Sequence, residues 1–139
     1  MTRRLIVDSK FVPCCADDGD EIFRNGYFHF NITKLIEHLQ SESSQVQVGE
    51  IPVSEFSGSF SVIDESHLEN VNLTLPVIVA EIAPRRFNLI DGNHRMEKAR
   101  RSAIETLPGY RLDITQHLNF LTTKNAYDAY VAYWNEKLN

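Results

Sequence analysis

Asn88-Leu89-Ile90-Asp91-Gly92-Asn93-His94-Arg95-Met96-Glu97-Lys98-Ala99-Arg100-Arg101 reads as the end of a strand, a one-glycine turn and a helix that starts at once. Phe87, Leu89 and Ile90 form a short β-type run bounded by Gly92. Met96, Ala99, Ala103, Ile104 and Leu107 recur at helical spacing, which predicts a helix reaching Leu107 and stopped by Pro108-Gly109. A helix opening from a strand through glycine directs its first backbone N–H groups at whatever lies above the turn, and such groups bind anions.

The charges around the turn point the same way. A helix N-terminus carries partial positive charge and favours Asp or Glu in its first turn, yet His94 and Arg95 stand there. From Arg85 to Arg101 there are six basic and two acidic side chains, a local charge of +4 in a chain of −5, so the remainder carries −9. Lys98, Arg100 and Arg101 read most simply as a solvated helical face, with Lys98 also a cationic candidate for phosphate binding.

Asp91-Gly92-Asn93-His94-Arg95 after a hydrophobic strand, preceded by Leu75-Pro76-Val77-Ile78-Val79, resembles the signature of the ParB/sulfiredoxin superfamily. The resemblance covers residues 48–114, and its most specific part is five residues long. It implies an α+β fold with a ParB/sulfiredoxin-like mixed sheet flanked by helices, and a turn that cradles nucleotide phosphates. Members include sulfiredoxins, CTP-binding partition proteins, free-serine kinases and plasmid-encoded nucleases or ATPases. The catalytic cysteine that sulfiredoxins place just before His-Arg is Asn93 here, so sulfinic-acid reduction is not expected. The Asp-Gly-x-His-Arg pattern is closer to the branch containing the kinases.

At 139 residues the chain suggests one domain, read as an N-terminal extension with one helix over residues 1–45 and a ParB/sulfiredoxin-like domain over 46–139. Hydrophobic content of 42% with 24% charged residues allows a sizeable core. No stretch approaches eighteen apolar residues, and Leu5-Ile6-Val7 is too short for a signal peptide, so a cytoplasmic protein without membrane partners is expected. A pI near 5.5 argues against sequence-independent binding of duplex nucleic acid. Cys14 and Cys15 are adjacent, where a bridge is strained, so two reduced thiols are expected.

Along the chain, Leu5-Ile6-Val7 suggests a short strand, and Phe11-Val12-Pro13 continues extended until an acidic loop, Asp17-Asp18-Gly19-Asp20-Glu21, which lacks the ligand spacing of a calcium loop. Asn31 can cap a helix whose Ile32, Leu35, Ile36 and Leu39 share one face, with His29 and His38 read as surface or partly buried rather than as ligands. A polar linker over residues 40–45 precedes Val46, Val48 and Ile51, whose alternation predicts a strand ending at Pro52. Ser57-Gly58-Ser59 reads as a loop able to lie over a ligand or as a plain surface turn, and residues 64–69 as one helical turn.

Residues 76–82 are the most strand-like segment and should be central in the sheet, joined through Ala83-Pro84-Arg85 to the strand ending at Asp91 as a hairpin. The turn would then stand at the end of a central strand, where open sheets hold ligands. Tyr110-Arg111-Leu112-Asp113-Ile114 predicts one more strand, and Tyr127, Tyr130, Val131, Trp134 and Leu138 line one face of a closing helix that covers the sheet.

A nucleotide at this turn would be held by the backbone N–H groups of Gly92, Asn93 and His94, with Arg95 neutralising phosphate and the His94 side chain adding a donor. Asp91 either holds Mg²⁺ or takes a proton from an attacking hydroxyl, as the kinase branch implies, or caps the turn structurally. Phosphoryl transfer asks for a second acid, and Glu50 and Glu55 are the candidates beside Asp91 and His94.

Three functions follow as expectations. One is a phosphotransferase or nucleoside triphosphatase using ATP, ADP or CTP with Mg²⁺. Another is a nucleotide-sensing or partner-binding module without catalysis. The least favoured is a nuclease or DNA-binding protein, since the chain is acidic and lacks the helix-turn-helix segment of partition proteins. The N-terminal forty residues leave open a lid, a homodimer contact or extra core.

Overall fold

The computed structural model describes residues 4–26, 28–42, 44–56 and 63–138. In chain order they form β1 (Ile22–Asn25), β2 (Phe28–Asn31), α1 (Ile32–Gln40), β3 (Gly49–Pro52), α2 (Val53–Phe56), α3 (Glu65–Leu68), β4 (Val77–Ala83), β5 (Arg86–Asp91), α4 (Asn93–Arg101), β6 (Thr106–Leu112), α5 (Ile114–His117), a 3₁₀ turn (Leu118–Phe120) and α6 (Lys124–Lys137). The architecture is mixed α+β, with a two-stranded sheet β1-β2 and a four-stranded sheet ordered β3-β6-β4-β5.

The larger sheet is mixed in direction. β3 runs antiparallel to β6 with Ile51 opposite Leu107, and β6 runs parallel to β4 with Gly109 opposite Val77. β4 and β5 are neighbours joined by Pro84 and Arg85 alone, a connection that only an antiparallel hairpin permits. Arg85 stands at φ 63, the positive angle demanded by its place in this turn. β4 is internal, as its β-branched run predicts, but β5 is an edge strand. The turn at Asp91-Gly92 therefore leaves the sheet from its edge and not from a central strand.

The chain divides into two compact units, the first comprising Met1–Gln45, Glu81–Phe87 and Asp113–Asn139, the second Val46–Ala80 and Asn88–Leu112. In the first unit, the Asn31 side chain accepts from Lys34 N–H and caps α1, which buries Ile32, Leu35 and Leu39. α6 buries Ala126, Tyr127, Tyr130, Val131 and Trp134. Its aromatic stripe meets β2, where the Phe28 ring lies edge-on to Tyr130 and Tyr133. The hairpin β1-β2 was not predicted; its sign in the sequence is Asn25-Gly26 between aromatic flanks, with Gly26 at φ 60.

Leu5-Ile6-Val7 and Phe11-Val12-Pro13 join no sheet. The backbone of Leu5 instead exchanges hydrogen bonds with the Asn135 side chain, Asp8 N–H donates to the Tyr127 hydroxyl, and Phe11 stacks on the Tyr127 ring. Side chains of α6 thus do what a neighbouring strand would. Asp17 and Asp20 of the acidic loop pair with Lys34, and both cysteines are free thiols, Cys14 half-buried and Cys15 exposed.

In the second unit, Ile51, Leu107, Leu112 and Val77–Ala80 of the sheet are buried together with Met96 and Ala99 of α4. Here the structure corrects the predicted helix. α4 ends at Arg101 rather than near Leu107, and Pro108-Gly109 lie inside β6. The stop is a Schellman arrangement: Ala103 N–H donates to Arg100 O, Ile104 N–H donates to Ala99 O, and Ala103 takes φ 56. Gly109 is required in β6 because a Cβ there would press into Ile51 and Val77. The predicted strand at 110–114 accordingly begins earlier, and Asp113 caps α5 instead. β3 is also shorter than predicted, with Val48 exposed.

Candidate functional site

Gly92 opens α4 at φ 105, ψ 28, a left-handed conformation that L side chains rarely take. A Cβ on it would stand 2.5 Å from Val77 Cγ1, so neither angle nor space admits another residue. Asn31, Asp64, Asp113 and Thr123 supply side-chain caps to α1, α3, α5 and α6. In α4 the N-cap is Gly92, which has no side chain to supply a cap, and the first turn holds no acid. Its hydrogen-bond ladder begins with Met96 N–H donating to Gly92 O at 2.9 Å, so the N–H groups of residues 93–95 stand ahead of the ladder.

Arg95 is placed differently from a free phosphate ligand. Its Nη1 donates to Leu75 O and Pro76 O, both at 2.9 Å, and its Nη2 donates to Asp91 Oδ2 at 3.1 Å. One guanidinium thus ties the entry to β4, the end of β5 and the start of α4. Both side chains of the pair are largely buried, 14% exposed for Arg95 and 17% for Asp91. Burial pushes the Asp91 carboxyl above the ordinary carboxylate value, and Arg95 pulls it part of the way back. The partner seen for Asp91 Oδ2 is this guanidinium.

His94, Lys98 and Arg101 fall at i, i+4 and i+7 on one face of α4, and all three reach α3. His94 Nε2 accepts from Asp64 N–H at 3.0 Å. Lys98 Nζ donates to Glu69 O at 3.3 Å, and Arg101 makes two bonds to the Glu65 carboxylate. Arg100 and Arg101 also both hold Glu97, whose carboxyl they pull down to about 2. Arg100 and Arg101 are exposed, as a solvated face predicts, while His94, Lys98 and Arg101 also reach α3 and its ends. The i, i+4, i+7 spacing was visible in the sequence; its partner segment was not.

Glu50 is remote from Asp91. Glu50 lies on β3, at the opposite edge of the sheet from β5, three strand spacings or about 14 Å across. Glu55 lies on α2 and pairs with Arg111 at 3.8 Å. Among the described residues no group of three His, Cys, Asp or Glu side chains could hold a metal ion. A Mg²⁺ at Asp91 would share its one carboxylate with Arg95. The loop at Ser57-Gly58-Ser59 lies outside the described residues.

Fold and site together define a class: a mixed α+β chain with a strand–glycine–helix turn braced by an arginine. Comparisons with family models, curated proteins and solved structures found no match. No described helix is long and apolar enough to cross a membrane.

Proposed function

We propose that this protein binds a phosphate-bearing small molecule, with nucleotides such as ATP, ADP or CTP as the leading class, at the turn that opens α4. The observation that carries the reading is the start of α4 at left-handed Gly92, which has no side chain to cap it, with His94 in the first turn and no acid there. The Asp91-Gly92-Asn93-His94-Arg95 resemblance to the ParB/sulfiredoxin superfamily supports the same class. Backbone N–H groups of His94 and Arg95, ahead of the first ladder bond from Met96, would meet phosphate oxygens. Arg95 would act mainly by holding the turn in shape, since three of its five N–H donors go to Asp91, Leu75 and Pro76.

Binding without turnover is favoured over phosphoryl transfer by one observation: Glu50 lies on β3, at the opposite edge of the sheet from the strand that ends at Asp91. Thermal unfolding with ATP, ADP, CTP and GTP, each with and without Mg²⁺, tests the reading. A ligand at about a hundred times its Kd adds roughly 2.7 kcal/mol, enough to raise the midpoint of a domain this size by several degrees. One nucleotide should do this without being consumed. No shift with any of them would remove the nucleotide reading, and phosphate release abolished by Asp91→Ala would replace binding with catalysis.

A further inference from the structure

The hydrogen bond between α3 and His94 has a chemical consequence. A backbone N–H can only donate, so a ring nitrogen that accepts from it must carry no proton. Asp64 N–H points at His94 Nε2 at 3.0 Å. The Asp64 carboxylate is engaged elsewhere: Oδ1 accepts from Ser66 N–H and Ser66 Oγ–H, and Oδ2 lies 3.5 Å from His67 Nδ1. Those partners lie on α3, while the bond to His94 Nε2 comes from the Asp64 backbone N–H. With Nε2 unprotonated, the neutral ring carries its proton on Nδ1.

We infer that α3 is a tautomer lock, in which Asp64 N–H holds His94 as the Nδ1–H form so that the first turn of α4 presents a fixed side-chain donor to a phosphate oxygen. Asp64 is thus a positioning residue that acts through His94. Two further bonds keep α3 in place for the task, Arg101 to Glu65 near its start and Lys98 to Glu69 O at its end. An unconstrained neutral imidazole prefers the proton on Nε2, so the lock reverses the ordinary preference and leaves a spectroscopic mark. That a phosphate compound receives the Nδ1–H rests on the function proposed above; the lock itself does not.

Long-range proton–nitrogen correlation spectra of the ligand-free wild-type protein at pH 8 read the lock directly and need no variant. His94 Nδ1 should appear as a protonated, pyrrole-type nitrogen and Nε2 as an unprotonated, pyridine-type one. The reverse assignment, or a fast-exchanging average of the two, overturns the lock whatever the protein binds. His94→Gln then separates the two roles, because its Oε1 can accept from Asp64 N–H but the side chain offers no Nδ1–H. With ATP as probe, His94→Gln should keep amide protection of residues 66–69 at the wild-type level while weakening ATP binding about tenfold or more, and His94→Ala should lose both. Unchanged ATP affinity in His94→Gln refutes the donor role. If the wild type binds none of ATP, ADP, CTP and GTP while Nδ1 carries the proton, the lock stands and the nucleotide reading fails.

Discussion

Arg95 shows how a residue can be prominent in sequence for one reason and be placed by the fold for another. Read in line with its neighbours it is a cation at a helix start, where the dipole disfavours it unless an anion is present. In the fold its counter-anion is Asp91, four residues back, and its second amino group serves two backbone carbonyls. A planar guanidinium can satisfy three acceptors spread over two segments, and an ammonium cannot. Arg95→Lys should therefore lower unfolding free energy by about 2 kcal/mol in urea titration, against a few tenths of a kcal/mol for a lysine replacing an exposed arginine. A loss as small as that would mean that the clamp contributes little.

α4 is where the sequence misleads at the scale of elements, and the reason is physical. Helical periodicity continued past Arg101 through Ala103, Ile104 and Leu107, while the nearest glycine and proline lay at 108–109. The helix ends without either, because Ala103 adopts the left-handed angle that glycine usually supplies. Gly109 serves instead the close approach of β6 to Ile51 and Val77, a tertiary requirement that no local pattern displays. Ala103→Gly should relieve the strain and raise stability by about 0.5–1 kcal/mol, less the entropy that glycine adds to the unfolded chain. Destabilisation in a denaturant titration would show that φ 56 is not strained there. By contrast, α1, α6, the helical turn at 65–68 and the β4-β5 hairpin were legible, since cap, stripe and β-branched run each specify their element locally. The turn at 91–95 was legible as a site candidate by its residue types; the Arg95 clamp and the docking of α3 were not, because both join segments twenty or more residues apart.

For the molecule as a whole, two buried titratable groups set opposite trends in acid. His117 is fully buried; its Nε2–H donates to Glu81 O at 2.7 Å, and the Tyr130 hydroxyl donates to the same oxygen at 2.5 Å. Burial pushes the His117 imidazole down to about 4 from its ordinary 6.5, with the Glu81 carbonyl offsetting part of the fall. Below pH 6.5 the unfolded chain gains a proton that the folded one refuses, so stability present at neutral pH drains away as pH falls toward 4. The loss over that window is roughly 3 kcal/mol. Asp91, raised by burial, works the other way: its contribution is present at low pH and is lost as pH rises through its folded value. His117→Gln should flatten the profile between pH 6.5 and 4 in urea titrations across that range. A variant that keeps the wild-type slope would place the acid sensitivity elsewhere.

The binding of a phosphate compound at the start of α4 is tested most directly by following backbone amide signals of the nitrogen-labelled protein during titration with ATP, ADP and CTP. The expected result is saturable movement concentrated at Gly92, Asn93, His94 and Arg95, with the largest shifts at amides ahead of the helical ladder and smaller ones on α3 transmitted through His94. Saturable binding whose shifts leave residues 92–95 untouched, or no movement at millimolar nucleotide, would contradict it.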